Sequence, residues 1–300
     1  MPGRLLLLDT ASLYYRAFFG IPDSLKGPDG TVVNAVRGMI DFAATLIARE
    51  DDAPAAVVAC WDDDWRPQWR VDLVPSYKTQ RLADGSADAE ETPDLLAPQV
   101  PLIAEVLALA GIPVVGAPDA EADDVIGTLS HTWKGPVDVV TGDRDLFQLV
   151  DDSRSVRVLY TARGVAKLDT VDAAWIGEKY GIDPATYVDY AVMRGDASDG
   201  LPGVAGIGEK TAAALVNEFS DLDGILAAAE DDASSIKPRP RASLLESRDY
   251  IAAARTVVTV RADLDVAVPD PLPQPDADGL RAFGERWGVA SPVERLLAQL

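Results

Sequence analysis

Short apolar runs alternate with longer amphipathic stretches through the first half of the chain. Four of these runs, at residues 5–8, 55–60, 114–115 and 137–140, are rich in Leu, Val or Ala and predict strands. Apolar residues that recur every three or four positions predict helices over 34–49, 95–110 and 122–133. This alternation is typical of an α/β domain with a mostly parallel sheet.

The second half of the chain has a different pattern. From about residue 183 the strand-like runs end, Ala-rich helical stretches dominate, and Gly and Pro gather in residues 200–208. We therefore place a domain change near residue 190. The expected organisation is an α/β domain over 1–190 followed by an all-helical domain over 191–300.

Composition narrows the class of protein. The 300 residues are 48% hydrophobic and 25% charged, which indicates a globular chain. The single cysteine, Cys60, excludes an intramolecular disulfide and a cysteine-based zinc site, and the single histidine, His131, argues against Ser–His or Cys–His catalysis. No apolar run is long enough for a secretory signal or a membrane span. We expect a cytoplasmic, monomeric protein with no membrane partner.

The charge is strongly negative but unevenly distributed. The 49 acidic residues exceed the 27 basic ones, and the net charge of −22 argues against broad binding to nucleic acid. However, residues 66–81 hold four basic residues and one acidic, and residues 237–261 hold six basic and two acidic. A phosphate backbone responds to the local field, so contact with nucleic acid through these two segments stays open.

Acidic residues follow each predicted strand. Asp9, Asp62, Asp143 and Asp145 come after three of the strands, and Glu121, Asp123 and Asp124 follow the fourth. The carboxyl ends of parallel strands share one edge, where ligands bind, so these side chains are expected to converge. Converging carboxylates repel unless a cation neutralises them, and oxygen ligands favour Mg²⁺ or Mn²⁺. A pair of such ions is the arrangement that hydrolyses phosphodiesters.

The same acids are open to other interpretations. Any single Asp after a strand is commonly a helix cap, but residues 121–124 place three carboxylates in one helical turn, where only one can cap. An aspartyl-phosphate phosphatase would need a second Asp where Ala11 stands. An EF-hand starting at Asp143 would need an oxygen ligand and a glycine where Phe147 and Gln148 stand. Both of these alternatives fail.

A glycine-rich turn lies at residues 203–211. It lacks the adjacent Gly-Lys of a P-loop because Glu209 intervenes, and Thr211 occupies the last glycine position of a dinucleotide-binding fingerprint. Its backbone N–H groups could approach a phosphate closely, and the alternative is an ordinary turn between helices. The candidate contact residues are Gly203, Gly206, Gly208 and Lys210.

These motifs, taken in order, resemble the bacterial 5′ nuclease family, which includes flap endonucleases and the 5′–3′ exonuclease domain of DNA polymerase I. The resemblance extends over about residues 4–261 and is carried by Asp9, Trp61-Asp62, Glu-Ala-Asp-Asp at 121–124, the motif at 141–149, Gly-Asp-Ala-Ser-Asp at 195–199 and the turn at 203–212. It implies a Rossmann-like PIN-type nuclease domain with a helical arch near residues 65–95. It also implies a helix–three-turn–helix module that grips duplex DNA, with a K⁺ ion at the turn.

The resemblance also implies roles for individual residues. The metal ligands, for two or more Mg²⁺ or Mn²⁺ ions, would be Asp9, Asp62, Glu121, Asp123, Asp124, Asp143, Asp145, Asp196 and Asp199. In the arch, Arg70, Lys78 and Arg81 would be directed at the scissile phosphate and Tyr77 would lie near unpaired bases, while Arg16 would lie close to the substrate. Two features depart from the family: three acids stand at 62–64, which leaves Asp62 and Asp63 as rival ligands, and Gly200 and Thr10 replace the usual Asn and Gly.

The implied activity is metal-dependent hydrolysis of branched or nicked DNA that bears a 5′ single strand, as in replication and repair. A DNA polymerase, a ligase or a sliding clamp would be the protein partners. Two rivals remain: a DNA-junction binding protein without catalysis, and a PIN-type ribonuclease. The full set of expected carboxylates argues against the first, and the glycine-rich turn argues against the second.

Overall fold

A six-stranded sheet lies at the centre of the computed structural model, which describes residues 2–49 and 53–300. The strands are β1 (Leu5–Asp9), β2 (Ala56–Cys60), β3 (Val114–Val115), β4 (Val137–Thr141), β5 (Val156–Tyr160) and β6 (Asp169–Val171). Their order is β3-β2-β1-β4-β5-β6, and only the β5–β6 pair is antiparallel. The predicted α/β fold with a mostly parallel sheet is confirmed.

The central strand β1 is buried on both faces. Leu5 and Leu7 belong to one apolar core, and Leu6 and Leu8 belong to the other, because successive side chains of a strand point to opposite faces. A strand covered by helices on both sides has no polar positions, which explains the uninterrupted run of four leucines.

Helices cover both faces of the sheet and form the second half of the chain. They are α1 (Thr10–Gly20), α2 (Asn34–Ile47), α3 (Gln68–Leu73), α4 (Gln99–Leu109), α5 (Ala122–Thr132), α6 (Ala173–Tyr180), α7 (Tyr187–Arg194), α8 (Glu209–Phe219), α9 (Leu222–Glu230), α10 (Pro238–Glu246), α11 (Arg248–Val258), α12 (Ala277–Trp287) and α13 (Ala290–Leu297). The three helices predicted from apolar spacing correspond to α2, α4 and α5.

The last two helices return to the amino-terminal half of the chain. Helix α13 packs against α2, and α12 packs against α4. Leu280, Phe283 and Val293 are buried in the same core as Leu6 and Leu8 of β1. These two helices thus pack against helices of the first half of the chain, and α7 includes residue 190, where the sequence predicts the domain change.

The predicted helical arch near residues 65–95 takes a different form. The segment contains the six-residue helix α3 and a 3₁₀ turn at Thr79–Arg81, and a bridge between Leu82 and Glu90 closes a loop. Pro67 and Pro75 flank α3, and a proline disfavours helical conformation in the residue before it. The expectation of an extended helical arch is therefore corrected to a short helix followed by a closed loop.

No helix in the described part of the chain combines the length and the hydropathy that crossing a bilayer requires.

Candidate active site

Carboxylates from separate parts of the chain line one cavity at the carboxyl edge of the sheet. The cavity has a volume of about 410 Å³, and six of the nine predicted acids line it: Asp9, Asp62, Glu121, Asp123, Asp143 and Asp196. Asp124, Asp145 and Asp199 lie outside this lining. The ends of β1, β2 and β4 and the start of α5 place five of the six, as expected for a parallel sheet.

Asp9 is both a helix cap and a residue of the cavity wall, two roles that the sequence presented as alternatives. Its Oδ1 accepts a hydrogen bond of 3.2 Å from the backbone N–H of Ser12, so it caps α1. Its Oδ2 accepts a 2.6 Å bond from the hydroxyl of Thr141 at the end of β4. The carboxylate is thus a helix cap that also lies in the cavity wall, where two strand ends fix its position.

The loop after β4 brings two further acids to the edge. The Oδ1 of Asp143 accepts a 2.8 Å hydrogen bond from the backbone N–H of Asp145, and the N–H of Asp143 donates to the Thr141 hydroxyl. The Oδ1 of Asp145 is buried without a hydrogen-bond partner. A buried carboxylate oxygen without a partner is costly, which indicates that a ligand belongs beside it.

The structure separates the rival acids after β2. Asp62 lines the cavity and accepts a 2.8 Å hydrogen bond from the backbone N–H of Ala122 at the start of α5. Asp63 is exposed, and its carboxylate lies against Gly116 outside the cavity. The position directed at the other acids is therefore Asp62.

Glu121 is enclosed by partners from the arch segment. The ammonium of Lys78 forms an ion pair with Glu121, and the hydroxyl of Tyr77 donates to Glu121 Oε1 at 2.9 Å. Tyr77 is 5% exposed, so its ring is turned into the protein and not towards unpaired bases as predicted. Lys78 is also largely buried, but its side chain reaches the cavity wall.

Arg70 has a different environment from the one predicted. Its Nη1 and Nη2 donate to the two carboxylate oxygens of Asp124 at 2.8 and 2.7 Å, and its Nε donates to the carbonyl of Val257. Both side chains are buried, and neither lines the cavity. Arg70 Nη1 also lies 3.3 Å from Oε1 of the cavity acid Glu121. The contact of Arg70 with a scissile phosphate and of Asp124 with a metal therefore stays a prediction, which the pairing of the two groups does not favour.

Asp196 and Asp199 enter from the loop after α7. Asp199 is paired with Arg81, which lines the cavity. The Oδ2 of Asp196 lies 3.6 Å from both Arg144 Nη2 and Arg194 Nη2. The loop closes tightly on the arch segment: Gly200 has a φ of +70°, and a Cβ there would collide with the carbonyl of Ser76. The usual Asn would not fit, which explains one departure from the family pattern.

Burial and mutual repulsion raise the pKa values of the clustered carboxyl groups. Burial raises the pKa of Asp9 to about 7, and the charges of Asp62 and Asp143 act in the same direction. Burial and the charge of Asp143 raise the pKa values of Asp123 and Asp145 well above their ordinary value. For Asp124, burial disfavours ionisation, but the hydrogen bonds and charge of Arg70 outweigh it and the pKa is lowered. Within the described residues, Asp9 and Asp123 form no ion pair of the kind that Arg70 gives Asp124.

The donor set fits divalent metal ions that prefer oxygen. All the candidate ligands are carboxylates, and the unpartnered Asp145 oxygen lies beside them. Within residues 2–49 and 53–300, no group of three or more His, Cys, Asp or Glu side chains is arranged so that it could hold a metal ion by itself. Mg²⁺ is commonly held by one or two carboxylates together with waters and substrate phosphates, so an open arrangement is consistent with it.

The raised pKa values predict how metal binding depends on pH. Asp9 has a folded pKa of about 7 against an ordinary 3.8, so the metal-free folded protein binds the proton more tightly than the unfolded chain does. Its contribution to stability is therefore lost as the pH rises towards 7. Because Mn²⁺ competes with the proton, we expect Mn²⁺ to raise the melting temperature more at pH 8 than at pH 6. Thermal unfolding with and without Mn²⁺ measures this, and an equal increase at both values would contradict it.

The predicted contacts with DNA lie in two places. Arg16 on α1 lies beside Gly142, and its Nε is buried without a hydrogen-bond partner. The glycine-rich turn precedes α8, and Gly206, Gly208 and Lys210 are exposed. Gly203 has a φ of +69° and lies too close to the carbonyl of Arg194 for a side chain. The turn thus offers open backbone at the start of a helix.

Sequence reasoning missed other residues of the cavity wall. Arg144, Tyr15 and Glu90 line the cavity. Arg144 stands between two predicted ligands, which was a usable signal. Glu90 lies in the loop that follows the 3₁₀ turn Thr79–Arg81, and the sequence gives no sign that the Leu82–Glu90 bridge returns it to the cavity.

Comparisons with known proteins agree with this arrangement. Residues 4–181 match the family model described as 5′-3′ exonuclease, N-terminal resolvase-like domain, and residues 182–275 match 5′-3′ exonuclease, C-terminal SAM fold. A 5′-3′ exonuclease of Streptomyces coelicolor is 55% identical over 98% of this chain and 99% of its own length. One from Mycobacterium tuberculosis is 47% identical over 99% of this chain and 97% of its own.

A solved structure shares the fold. The T5 D15 protein co-crystallised with metal ions superimposes with a TM-score of 0.63 at 18% identity, covering 99% of both chains. The paired family models and the two full-length relatives go further than this shared fold, and they show that the chain belongs to the 5′-3′ exonuclease family.

Proposed function

We propose that the chain is a structure-specific 5′ nuclease that hydrolyses phosphodiesters in flap or nicked DNA with the help of Mg²⁺ or Mn²⁺. The observation that carries this proposal is the cavity in which six carboxylates from strand ends, α5 and the loop after α7 face one another. Membership of the 5′-3′ exonuclease family supports the direction of cleavage.

The cavity acids would hold the ions directly or through water. Asp9, Asp123 and Asp143 are the proposed principal ligands, joined by Asp62, Glu121 and Asp196. Asp145 lies behind them with an unpartnered oxygen, and Asp199 is engaged by Arg81. Two divalent ions, when bound, would activate the attacking water and stabilise the leaving oxygen.

Cationic side chains at the cavity complete the proposed site. Lys78 and Arg81 line its wall, and each is paired with an acid that keeps it in place. Their charges would offset the negative charge that develops on the phosphate. Tyr77 supports Lys78 indirectly, because both side chains bond to Glu121.

The helical part of the chain would hold the duplex. Open backbone at Gly206 and Gly208, together with Lys210 and the nearby Arg239, faces outward at the start of α8. Such contacts reach the DNA backbone, and they determine position but not sequence. A K⁺ ion at this turn and the recruitment of a polymerase, ligase or sliding clamp remain predictions.

One experiment tests the proposal against its rivals. A 5′-labelled flap duplex, the matched DNA single strand and the matched RNA strand are each incubated with Mg²⁺, Mn²⁺ or a chelator. We expect cleavage of the flap with either metal, little cleavage of the single strands, and none with chelator. Binding of the flap without cleavage in any metal would favour a junction-binding protein, and preferential cleavage of RNA would favour a ribonuclease.

A further inference from the structure

Arg81 and Arg144 are the arginines that line the cavity, and Arg144 has the weaker contacts within the protein. Its side chain is 41% exposed and lines the cavity, and no hydrogen bond from its guanidinium is found within the described ranges. Its ion pair with Asp196 Oδ2 has a length of 3.6 Å, beyond the range of a hydrogen bond. Its guanidinium is therefore available to a ligand that enters the cavity.

Arg70, Lys78 and Arg81 form closer contacts within the protein than Arg144 does. Arg70 donates three hydrogen bonds to buried acceptors and does not line the cavity. Lys78 and Arg81 are each in close contact with a carboxylate. Releasing any of these groups would break a charge-assisted hydrogen bond, whereas moving Arg144 breaks none.

Arg194 shares the carboxylate oxygen that Arg144 faces. Its Nη2 also lies 3.6 Å from Asp196 Oδ2, but its side chain is only 8% exposed. Its Nε donates to the carbonyl of Gly195 at 3.0 Å, and its guanidinium lies over the ring of Tyr190 at 5.4 Å from the centroid. Arg194 is thus a fixed cation, and Asp196 keeps a positive neighbour when Arg144 moves away.

The backbone of Arg144 is also well placed. Its carbonyl accepts a 3.0 Å hydrogen bond from the backbone N–H of Phe147 in the 3₁₀ turn Asp145–Leu149, which anchors the main chain at the start of that turn. Asp143 and Asp145 flank it in sequence. A guanidinium that extends from this point reaches a phosphate held by the same acids, and its planar fork can bind two phosphate oxygens at once.

We propose that Arg144 binds the scissile phosphate, and that Arg194 is a positioning residue that keeps a positive charge 3.6 Å from Asp196 when Arg144 leaves it. This inference rests on the proposed nuclease function. It gives the phosphate contact first expected of Arg70 to a residue from the sheet edge.

The test compares Arg144→Met, Arg144→Lys and the control Arg281→Met in steady-state cleavage of the 5′-flap duplex. Arg281 is an exposed arginine of α12 that pairs with Glu294 at 3.1 Å and does not line the cavity. We expect kcat of Arg144→Met to fall on the order of 100-fold, as when one transition-state donor is removed. Arg144→Lys should retain part of that activity, and Arg281→Met all of it.

Three measurements distinguish loss of the phosphate contact from a folding defect and from failure of the proposed nuclease function. Flap binding is measured with Ca²⁺ in place of Mg²⁺. In Arg144→Met, the slope of log affinity against log salt concentration should decrease by about one unit or less. Thermal unfolding identifies a misfolded variant; if Arg144→Met misfolds, Arg144→Gln replaces it, and a native kcat in that folded, uncharged variant overturns the proposal. If the native chain cleaves the flap and folded Arg144→Met has the same kcat, the proposal is also overturned. Failure of the native chain to cleave defeats the proposed function instead.

The role of Arg194 has its own readout. We expect Arg194→Met to need a higher Mg²⁺ concentration for half-maximal cleavage, because Asp196 loses its fixed partner, and Arg194→Lys to restore the native value in part. If Arg194 had only a structural role, Arg194→Met would have a lower melting temperature, but its folded molecules would need the native Mg²⁺ concentration for half-maximal cleavage. That result would overturn the positioning role.

Discussion

Asp143→Asn is expected to lower cleavage of a 5′-flap duplex by on the order of 10⁴-fold while leaving binding of the same DNA largely intact. Asp143 lines the cavity at the end of β4, and burial with the nearby charge of Asp199 raises its pKa. The amide has the size of the carboxylate but no charge, so it keeps the packing and loses the attraction for a divalent ion. Asp123→Asn should behave in the same way.

The measurement pairs single-turnover cleavage with flap binding. Asp151→Asn is a matched control, because Asp151, like Asp143, accepts a hydrogen bond from the backbone N–H two residues further on, that of Ser153, but it does not line the cavity. Turnover by Asp143→Asn close to that of Asp151→Asn would remove Asp143 from the metal site. Loss of binding in parallel with cleavage would indicate a folding defect instead.

Arg70→Met is expected to lower the free energy of unfolding by about 3 to 5 kcal/mol, the usual cost of breaking a buried ion pair by removing one partner. Asp124 is fully buried, and after the change only the backbone N–H groups of Glu121 and Arg261 donate to it. The methionine fills much of the same volume, so the loss reflects the unpaired carboxylate and not a large cavity.

Urea unfolding of Arg70→Met and Arg248→Met separates this effect from the loss of any arginine. Arg248 is exposed and pairs with the exposed Glu230, so its removal should cost no more than about 1 kcal/mol. A variant of Arg70 with native stability and no cleavage would mean that the guanidinium acts on the substrate, in conflict with its buried pairing.

The sheet edge was predictable from the sequence because its signal is local. A short apolar run followed by an acid marks the end of a buried parallel strand, and this pattern recurs at Asp9, Asp62 and Asp143. Topology alone then brings the acids together. Strand β6 gave no comparable signal, because it has three residues and only Val171 among them is buried.

Partner choice among charged side chains was not predictable in the same way. Arg70 and Asp124 are 54 positions apart, and nothing in either segment indicates that they form a bidentate pair. For Asp62 and Asp63 the sequence allows two counts: counting from β2 favours Asp62, the predicted ligand, and counting back from Arg70 favours Asp63. The direction of the chain after β2 decides which carboxylate turns inward. The resemblance to a family assigned a phosphate contact to Arg70. The packing of α3 against α11 buries this arginine, whereas Arg144 stays available to a ligand.

The return of α12 and α13 to the sheet has a practical consequence for anyone shortening this protein. The family models end at residue 275, which invites a cut there. Leu280, Phe283 and Val293 cover apolar side chains of α2 and α4. A fragment without them would expose this hydrophobic surface to water and be prone to aggregate. The carboxyl-terminal 25 residues are thus a cover for the nuclease half and not a dispensable tail.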